Sequence, residues 1–398
     1  MNISVIGAKG LPAKQGGIEH YCQELYPRMV ERGHHVDLFA RSNYVDTSWL
    51  HQYEVQGVRV TALPCPNLRG LDALASSALS AIASSRKHYD VVHIHALGPA
   101  LFTALPKLAS SSTKVVVSCQ GLDWSRAKWG NISSRILHLG ERAAVRFADE
   151  IIVVSEELRS YFKKTYNRDT IYIPNGPAGY GVSDEHFHYG TSLGIQQKKY
   201  MVFLGRLVPE KRPDLLINAF QALQLPGWKL VFVGGSSDTS QFAGELSAMA
   251  GGNPNIVFAG ELHGERLAEI VRGAGLFVLP SDVEGLPLAM LEAMREGIPV
   301  VASDIPAHQQ LLLGGRGMLF RAGDRNSCAD TLSWAVDHTN EMAEMAIKAK
   351  KHIQVNYGWD KITSETLSVY AGVPRSYVGK KPIFFGRRPI PNKVTSVR

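Results

Sequence analysis

Two glutamates, Glu284 and Glu292, lie in one stretch where residue type and spacing could support binding and catalysis. The apolar run from Leu276 to Leu279 predicts a buried strand. Pro287 favours the first turn of a helix and Gly297 favours its end. The stretch therefore predicts a strand, a loop with Glu284 and a helix with Glu292. Because a helix N-terminus presents unpaired N–H groups and partial positive charge, it is suited to a phosphate group. A nucleotide sugar bound along this unit would bring its sugar to Glu284 and its ribose to Glu292.

The same stretch resembles the E-x7-E signature of the retaining glycosyltransferases of family 4. The order of the motifs extends this resemblance over roughly residues 1–372. It implies an α/β protein with the GT-B fold, in which two Rossmann-like domains face a cleft. It also implies that Glu284 lies beside the donor sugar as a catalytic residue and that Glu292 bonds the ribose hydroxyls. The donor-binding residues implied between these two acids are Gly285, Leu286, Pro287 and Leu288.

Two cations follow the strand that opens the C-terminal half. The resemblance assigns Arg206 and Lys211 to the donor diphosphate and to catalysis. A nucleoside diphosphate gains negative charge as it leaves, and fixed cations can stabilise that charge in place of a metal ion. No D-x-D motif stands where a metal-dependent glycosyltransferase would need it, so we expect neither a metal nor another cofactor. The turn that ends at Leu262 is expected to face the donor base through backbone groups.

A glycine-rich loop with Gly16 and Gly17 separates the first predicted strand from a helix. The backbone of such a loop can approach a phosphate closely. The loop lacks the G-x-G-x-x-G spacing, and no acid stands at the end of the second strand, which disfavours an NAD-dependent oxidoreductase. The resemblance instead places Gly16 and Gly17 near the donor diphosphate.

Candidate acceptor-side residues follow two later strands of the N-terminal half. His95 stands at the carboxyl end of a predicted parallel strand, where open α/β sheets place their sites, whereas His93 is expected to be buried. Gln120 occupies a position where many family members have histidine. An amide cannot transfer a proton, so Gln120 can only orient a substrate.

The loop after Gln120 supplies the remaining acceptor-side candidates. Asp123 is the better candidate for any proton transfer, and Trp124 and Lys128 follow it. The run Gln-Gly-Leu-Asp-Trp with its later Lys-Trp-Gly resembles a bacterial subgroup that includes polysaccharide rhamnosyltransferases.

The length of 398 residues exceeds one usual core and predicts two domains. We expect an acceptor domain at 1–176, a linker at 177–197, a donor domain at 198–356, a helix crossing back at 357–372 and a basic tail at 373–398. Four scattered cysteines without a C-x-x-C pair indicate reduced core thiols.

The net charge of +7 is concentrated in the tail, since residues 375–398 hold seven cations and no acid. A duplex-binding protein would carry its basic face on the folded body, so no nucleic-acid partner is expected. No signal peptide and no membrane-spanning run are recognised, which predicts a cytoplasmic protein. The tail interleaves cations with aromatic residues, and this pattern suggests peripheral contact with an anionic membrane that carries a lipid-linked acceptor. The oligomeric state is left open.

Other functions remain alternatives to glycosyl transfer to a sugar or lipid-linked hydroxyl. A nucleotide-sugar epimerase of the same fold also cleaves a sugar–phosphate bond, and a non-catalytic sugar-binding scaffold would need a decayed phosphate site. A hydrolase would need two carboxylates across the scissile bond, and Glu284 has no evident partner in the sequence.

Overall fold

The computed structural model describes residues 1–13, 16–48, 50–66, 71–121, 131–235 and 240–373. Within these ranges the chain alternates strands and helices, and the strands form two separate sheets. The predicted α/β architecture of two Rossmann-like domains is confirmed.

The N-terminal sheet has eight strands in the order β3-β4-β2-β1-β5-β6-β7-β8. Its strands are β1 Asn2–Ile6, β2 His35–Arg41, β3 Gln52–Val55, β4 Val58–Leu63, β5 Val91–His95, β6 Lys114–Cys119, β7 Glu150–Val153 and β8 Ile171–Tyr172. Ile3 pairs with Val36 on one side and with Val91 on the other, both in parallel register. The hairpin of β3 and β4 is the antiparallel exception. The central strands are almost wholly buried because helices cover both faces of a parallel sheet.

The helices around this sheet connect consecutive parallel strands. They are α1 Gly17–Glu31, α2 Leu71–Ser85, α3 Ala104–Ala109, α4 Asn131–Phe147 and α5 Glu156–Tyr166. Strand β1 pairs with both β2 and β5, so the sheet order reverses beside β1. Crevices at such reversals, outside the carboxyl ends of the strands, are where open α/β sheets bind ligands.

The C-terminal sheet has six parallel strands in the order β11-β10-β9-β12-β13-β14. Its strands are β9 Tyr200–Leu204, β10 Lys229–Val233, β11 Ile256–Gly260, β12 Leu276–Leu279, β13 Val300–Ser303 and β14 Met318–Phe320. Its helices are α6 His188–Ser192, α7 Pro213–Ala222, α8 Ser240–Ala250, α9 Gly264–Gly273, α10 Leu288–Glu296, α11 Pro306–Leu312, α12 Arg325–Asp337 and α13 Thr339–Asn356.

The predicted linker is partly structured. It contains α6, whose Gly190 N–H donates to the buried Glu269 carboxylate at 2.8 Å. Phe187 and Ile195 are both 5% exposed within the C-terminal core. The second half of this segment is therefore part of the C-terminal domain, because burying these two apolar side chains stabilises it there.

The last described helix, α14 Trp359–Tyr370, packs on the N-terminal domain. The Trp359 ring meets the Tyr21 ring edge-on at 5.6 Å, and the Tyr370 hydroxyl lies 2.6 Å from Nδ1 of His93. The tail beyond Val373 lies outside the described residues. Within the described ranges, no helix combines the length and apolarity needed to cross a bilayer.

Candidate active site

The loop between β12 and α10 carries Glu284 at the carboxyl edge of the C-terminal sheet. Helix α10 begins after Pro287 with no side chain capping its N-terminus, and it ends at Gly297 with a φ of 80°. A left-handed backbone of this kind favours glycine and closes the helix. The uncapped first turn leaves backbone N–H groups available for an anion.

Glu284 forms an ion pair with Lys211 that the sequence did not reveal. Lys211 Nζ lies 2.6 Å from Glu284 Oε1, and their side chains are 17% and 13% exposed. Ser281 donates to the same carboxylate oxygen at 2.9 Å. Burial raises the pKa of Glu284, but the charge and hydrogen bond of Lys211, with help from His308 and Ser281, more than offset it and leave the pKa below its ordinary value. Glu284 is therefore an ionised hydrogen-bond acceptor at neutral pH.

Two glycines shape the loop that brings Lys211 to this site. Gly205 has a φ of 155°, and a Cβ there would lie 3.3 Å from Cδ of Lys211. A Cβ on Gly234 would lie 2.0 Å from the carbonyl oxygen of Gly205, so a side chain at this position would clash with backbone. Arg206, next to Gly205, has a side chain 44% exposed and faces Glu210 at 4.0 Å.

The glycine-rich loop lies across the cleft from α10. A Cβ on Gly17 would lie 3.5 Å from Cδ1 of Leu288, so the first residues of α1 and α10 face each other. Gly16 precedes α1 with a φ of 98°, and because glycine has no side chain it leaves the helix N-terminus uncapped. The uncapped N-termini of two helices, one from each domain, thus meet at the cleft. This arrangement favours a ligand with adjacent negative charges.

Glu19 holds the glycine-rich loop in place and was not predicted. Its side chain is 4% exposed, and one oxygen accepts from the Lys9 backbone N–H at 2.8 Å. A Cβ on Gly16 would lie 2.2 Å from the other oxygen. Hydrophobic periodicity does not show which acid will be buried and will accept hydrogen bonds from the backbone, so the sequence carried no signal for Glu19.

Glu292 lies on α10 beside the segment that links the domains. Tyr180 donates its hydroxyl to Glu292 Oε2 at 2.7 Å. Burial raises the pKa of Glu292 to about 7, against lowering contributions from Tyr180, the Ala178 N–H and Arg295. Its charge state therefore changes near neutral pH.

The other predicted donor residues line the same side of the cleft. Leu262 is 9% exposed at the end of the turn after β11. Leu286 and Leu288 are partly buried against the C-terminal core. Gly285 faces the N-terminal domain, since a Cβ there would lie 3.4 Å from the Gln120 carbonyl oxygen.

Gln120 is the predicted acceptor-side residue that the structure brings to the cleft. Its Oε1 accepts from Asn175 Nδ2 at 2.6 Å, and its backbone contacts the loop of Glu284 through Gly285. Asp123, Trp124 and Lys128 lie outside the described residues.

His95 lies in the core rather than on the cleft surface. Its side chain has no exposed surface, its Nε2 is 2.7 Å from the Tyr26 hydroxyl, and burial lowers its pKa to about 3. His93 is equally buried and bonds Tyr26, Tyr370 and Ser118. The acceptor-side role of His95 stays a prediction, and the structure gives its side chain no surface that an acceptor could touch. His93 and His95 are two residues apart on β5 and therefore point to the same face of the sheet, where the Tyr26 hydroxyl contacts both.

His308 is a residue near the site that sequence reasoning missed. It is fully buried, and burial lowers its pKa to about 4, although the negative charge of Glu284 acts to raise that pKa. The Ser303 hydroxyl donates a hydrogen bond to the Ser281 carbonyl at 2.5 Å. Nδ1 of His308 donates to the Ser303 carbonyl at 2.9 Å, because a carbonyl oxygen can only accept. Nε2 has no partner among the described residues. The sequence signal that could have identified His308 is its position shortly after the carboxyl end of β13, where open α/β sheets place their sites.

Metal ligation needs several acidic, histidine or cysteine side chains close together. The described residues contain no group of three or more His, Cys, Asp or Glu side chains arranged to hold a metal ion.

Both halves of the chain match known glycosyltransferase families. The family described as "Glycosyl transferase 4-like domain" matches residues 16–176, and "Glycosyl transferases group 1" matches residues 191–352. An uncharacterized glycosyltransferase of Methanocaldococcus jannaschii is 26% identical over 402 residues, covering 93% of this chain and 98% of the relative. A D-inositol 3-phosphate glycosyltransferase of Gordonia bronchialis is 26% identical over 408 residues, covering 92% and 86%.

Solved structures share the fold at lower identity. Sucrose-phosphate synthase from Thermosynechococcus elongatus superposes with a TM-score of 0.79 at 20% identity, covering 93% of this chain and 98% of that one. HepE from Anabaena, in complex with UDP-glucose, gives 0.76 at 19% identity, covering 94% and 100%.

These findings decide among the alternatives drawn from the sequence. Neither of the two sequence relatives is named as an epimerase or an oxidoreductase, and those two alternatives are not supported. The matched families and the fold agree in both halves. The chain is a glycosyltransferase with the GT-B fold.

Proposed function

We propose that this glycosyltransferase moves a hexosyl-type sugar from a nucleoside diphosphate sugar to an acceptor hydroxyl with retained configuration. The observation that carries the proposal is the buried Lys211–Glu284 ion pair at the uncapped start of α10, opposite Gly17. The pair supplies one fixed cation for a leaving diphosphate and one ionised carboxylate beside the sugar.

The donor diphosphate would lie between the two helix N-termini, with Lys211 and Arg206 balancing its charge. That charge grows as the glycosidic bond breaks, so cations and N–H groups fixed in advance stabilise the transition state more than the ground state. Glu292 lies about 7 Å further along α10 than Pro287, which is a suitable separation for the ribose hydroxyls. The turn at Leu262 would face the base. No resident metal or other cofactor is needed for this chemistry.

The acceptor would approach from the N-terminal domain past Gln120, and the sequence assigns Asp123, Trp124, Lys128 and His95 to the same acceptor side. We infer a sugar or lipid-linked acceptor of cell-surface polysaccharide or glycolipid synthesis, with rhamnosyl transfer as one candidate. The relative named D-inositol 3-phosphate glycosyltransferase supports a hydroxyl acceptor on a small phosphorylated molecule. We further propose a cytoplasmic enzyme whose tail contacts the inner membrane face.

The test is a screen of nucleotide sugars against soluble and lipid-linked acceptors, with UDP-sugars first because a solved structure of similar fold holds UDP-glucose. Product formation with the anomeric configuration of the donor supports the proposal, and an inverted product refutes retention. Glu284→Gln is the matched inactive control, since it keeps the side-chain size and removes the charge. If the native protein releases no more nucleoside diphosphate than this variant with any acceptor, the proposed reaction is wrong.

A further inference from the structure

A cavity, called the hinge cavity below, lies where the start of the interdomain segment meets both domains. It opens to solvent and has a volume of about 380 Å³, between α1, the start of the interdomain segment, the last turn of α10 and the junction of α13 with α14. Arg28, Pro177, Arg295, Tyr357 and Trp359 line it. A volume of this size suits a small metabolite rather than a single water molecule.

The charged side chains around this hinge cavity are paired with one exception. Glu24 and Arg28 bond each other at 2.7 Å, and Asp360 pairs with Arg32 at 3.2 Å. Arg295 has no carboxylate partner within the ranges that the structure describes. Its one hydrogen bond within those ranges runs from Nη1 to the Pro177 carbonyl at a long 3.4 Å.

Arg295 is partly buried, and its guanidinium lines the cavity. Its guanidinium carries five N–H donors in a planar fork, which suits the paired oxygens of a phosphate or carboxylate group. Gly179 leaves room for this fork, since a Cβ there would lie 3.2 Å from Nη1. The cavity thus combines an under-used cation with two aromatic walls, Tyr357 and Trp359.

The hinge cavity is connected to the donor site through α10. Arg295 lies three residues after Glu292, and its charge favours the ionised form of that carboxylate. The interdomain segment touches both residues, since Tyr180 bonds Glu292 and the Pro177 carbonyl accepts from Arg295 and from Trp359 Nε1. A charge placed against Arg295 would therefore act on Glu292.

We propose that the hinge cavity binds a small oxyanion, a phosphate or carboxylate group held by Arg295, and that its binding weakens nucleotide binding at Glu292. The second half of this inference rests on the proposed function of Glu292, and the first half does not. A bound anion neutralises the cation that supports the Glu292 carboxylate, so fewer molecules present the ionised acceptor to the ribose. The coupling is reciprocal, since two sites linked in this way change each other's affinity by the same factor.

The first experiment measures the thermal midpoint of the full chain against inorganic phosphate and against citrate, with sodium chloride at matched ionic strength. We expect a saturable rise of about 2–4 °C at five times the Kd of whichever anion fits. Arg295→Gln should lose this rise. Arg206→Gln should keep it, because it removes a cation of the donor site instead. Arg321→Gln is the matched control, since its side chain is 75% exposed on the C-terminal domain and does not line the cavity.

Each pattern of results decides the question. A rise with phosphate or with citrate identifies the group that the cavity prefers. A rise that survives in Arg295→Gln and disappears in Arg206→Gln places the anion in the donor site and overturns the proposal, as does the absence of a rise with both anions. If Arg295→Gln does not fold, Arg295→Lys retains the charge without the fork and should weaken the anion several-fold.

The second experiment tests the coupling by UDP titration with and without the anion. The native protein should bind UDP several-fold more weakly when the hinge cavity is occupied, and Arg295→Gln should show no such change. Equal weakening in both proteins would mean direct competition at the diphosphate site. Failure of UDP to bind at all would count against the proposed function, while the thermal shift would still report on the cavity.

Discussion

The raised pKa of Glu292 predicts that this residue opposes folding while it serves binding. The pKa rises from 4.5 to about 7 on folding because the carboxyl is buried. The difference of about 2.5 corresponds to about 3 kcal/mol at 1.36 kcal/mol for each pKa unit. A neutral side chain of the same shape should recover this free energy. Glu292→Gln is that perturbation.

The sign follows from proton binding. Between pH 4.5 and about 7 the folded protein holds a proton on Glu292 that the unfolded chain has lost. The free energy of unfolding contributed by Glu292 therefore falls as pH rises through this window, and the loss is complete above it. Glutamine does not titrate. The stability of Glu292→Gln relative to the native protein should thus rise by up to about 3 kcal/mol between pH 4.5 and pH 8.

The assay is urea unfolding of both proteins at several pH values. Comparison between pH values cancels the constant cost of replacing a carboxylate that accepts from Tyr180. Glu296→Gln is the control on the same helix, since Glu296 pairs with Arg272 at 2.8 Å and its loss should destabilise the protein at pH 8. A stability difference between Glu292→Gln and the native protein that stays constant from pH 4.5 to pH 8 would refute the buried-charge reasoning.

The same residue should strengthen nucleotide binding as pH rises through 7. Loss of a charge-assisted hydrogen bond costs about 1.5–3 kcal/mol, so Glu292→Gln and Glu292→Ala should weaken UDP binding by about 10-fold to 150-fold at pH 8. The rate of transfer in the bound complex should fall less than the affinity. Calorimetric titration measures this, and unchanged affinity in both variants would remove Glu292 from the ribose.

Three further predictions follow from the site and the tail. Lys211→Met should lower activity by about 100-fold or more, because it leaves Glu284 buried without its cation. Chelation by EDTA should leave the native rate unchanged. Loss of activity in EDTA that Mg²⁺ or Mn²⁺ restores would contradict the metal-free mechanism. His308→Leu should cost about tenfold in kcat/KM by leaving the Ser303 carbonyl without its donor, and His308→Asn, which can still donate, should retain most of the rate; equal rates in the two variants would exclude this role. Truncation after Pro374 should preserve nucleotide binding and reduce sedimentation with anionic liposomes at low salt, and equal, weak sedimentation of both forms would eliminate the membrane proposal.

Local sequence patterns determined the elements and part of the site. Apolar runs and glycine and proline positions placed Leu276–Leu279 as a strand and bounded α10 between Pro287 and Gly297, as the structure has them. These signals act within a few residues along the chain, because strand and helix periodicity are local properties. The alternation of strands and helices also determined the α/β class, since parallel strands need helical crossovers.

Only the tertiary structure decided which distant groups meet. Lys211 and Glu284 are 73 residues apart and share a buried ion pair, and Gly17 contacts the start of α10 from the other domain. The burial that makes His95 part of the core and raises the pKa of Glu292 likewise depends on helices packed from elsewhere in the chain. Packing and desolvation are set by all neighbours in space together, so residue types and spacing identified the chemical groups, and the fold determined their partners and charge states.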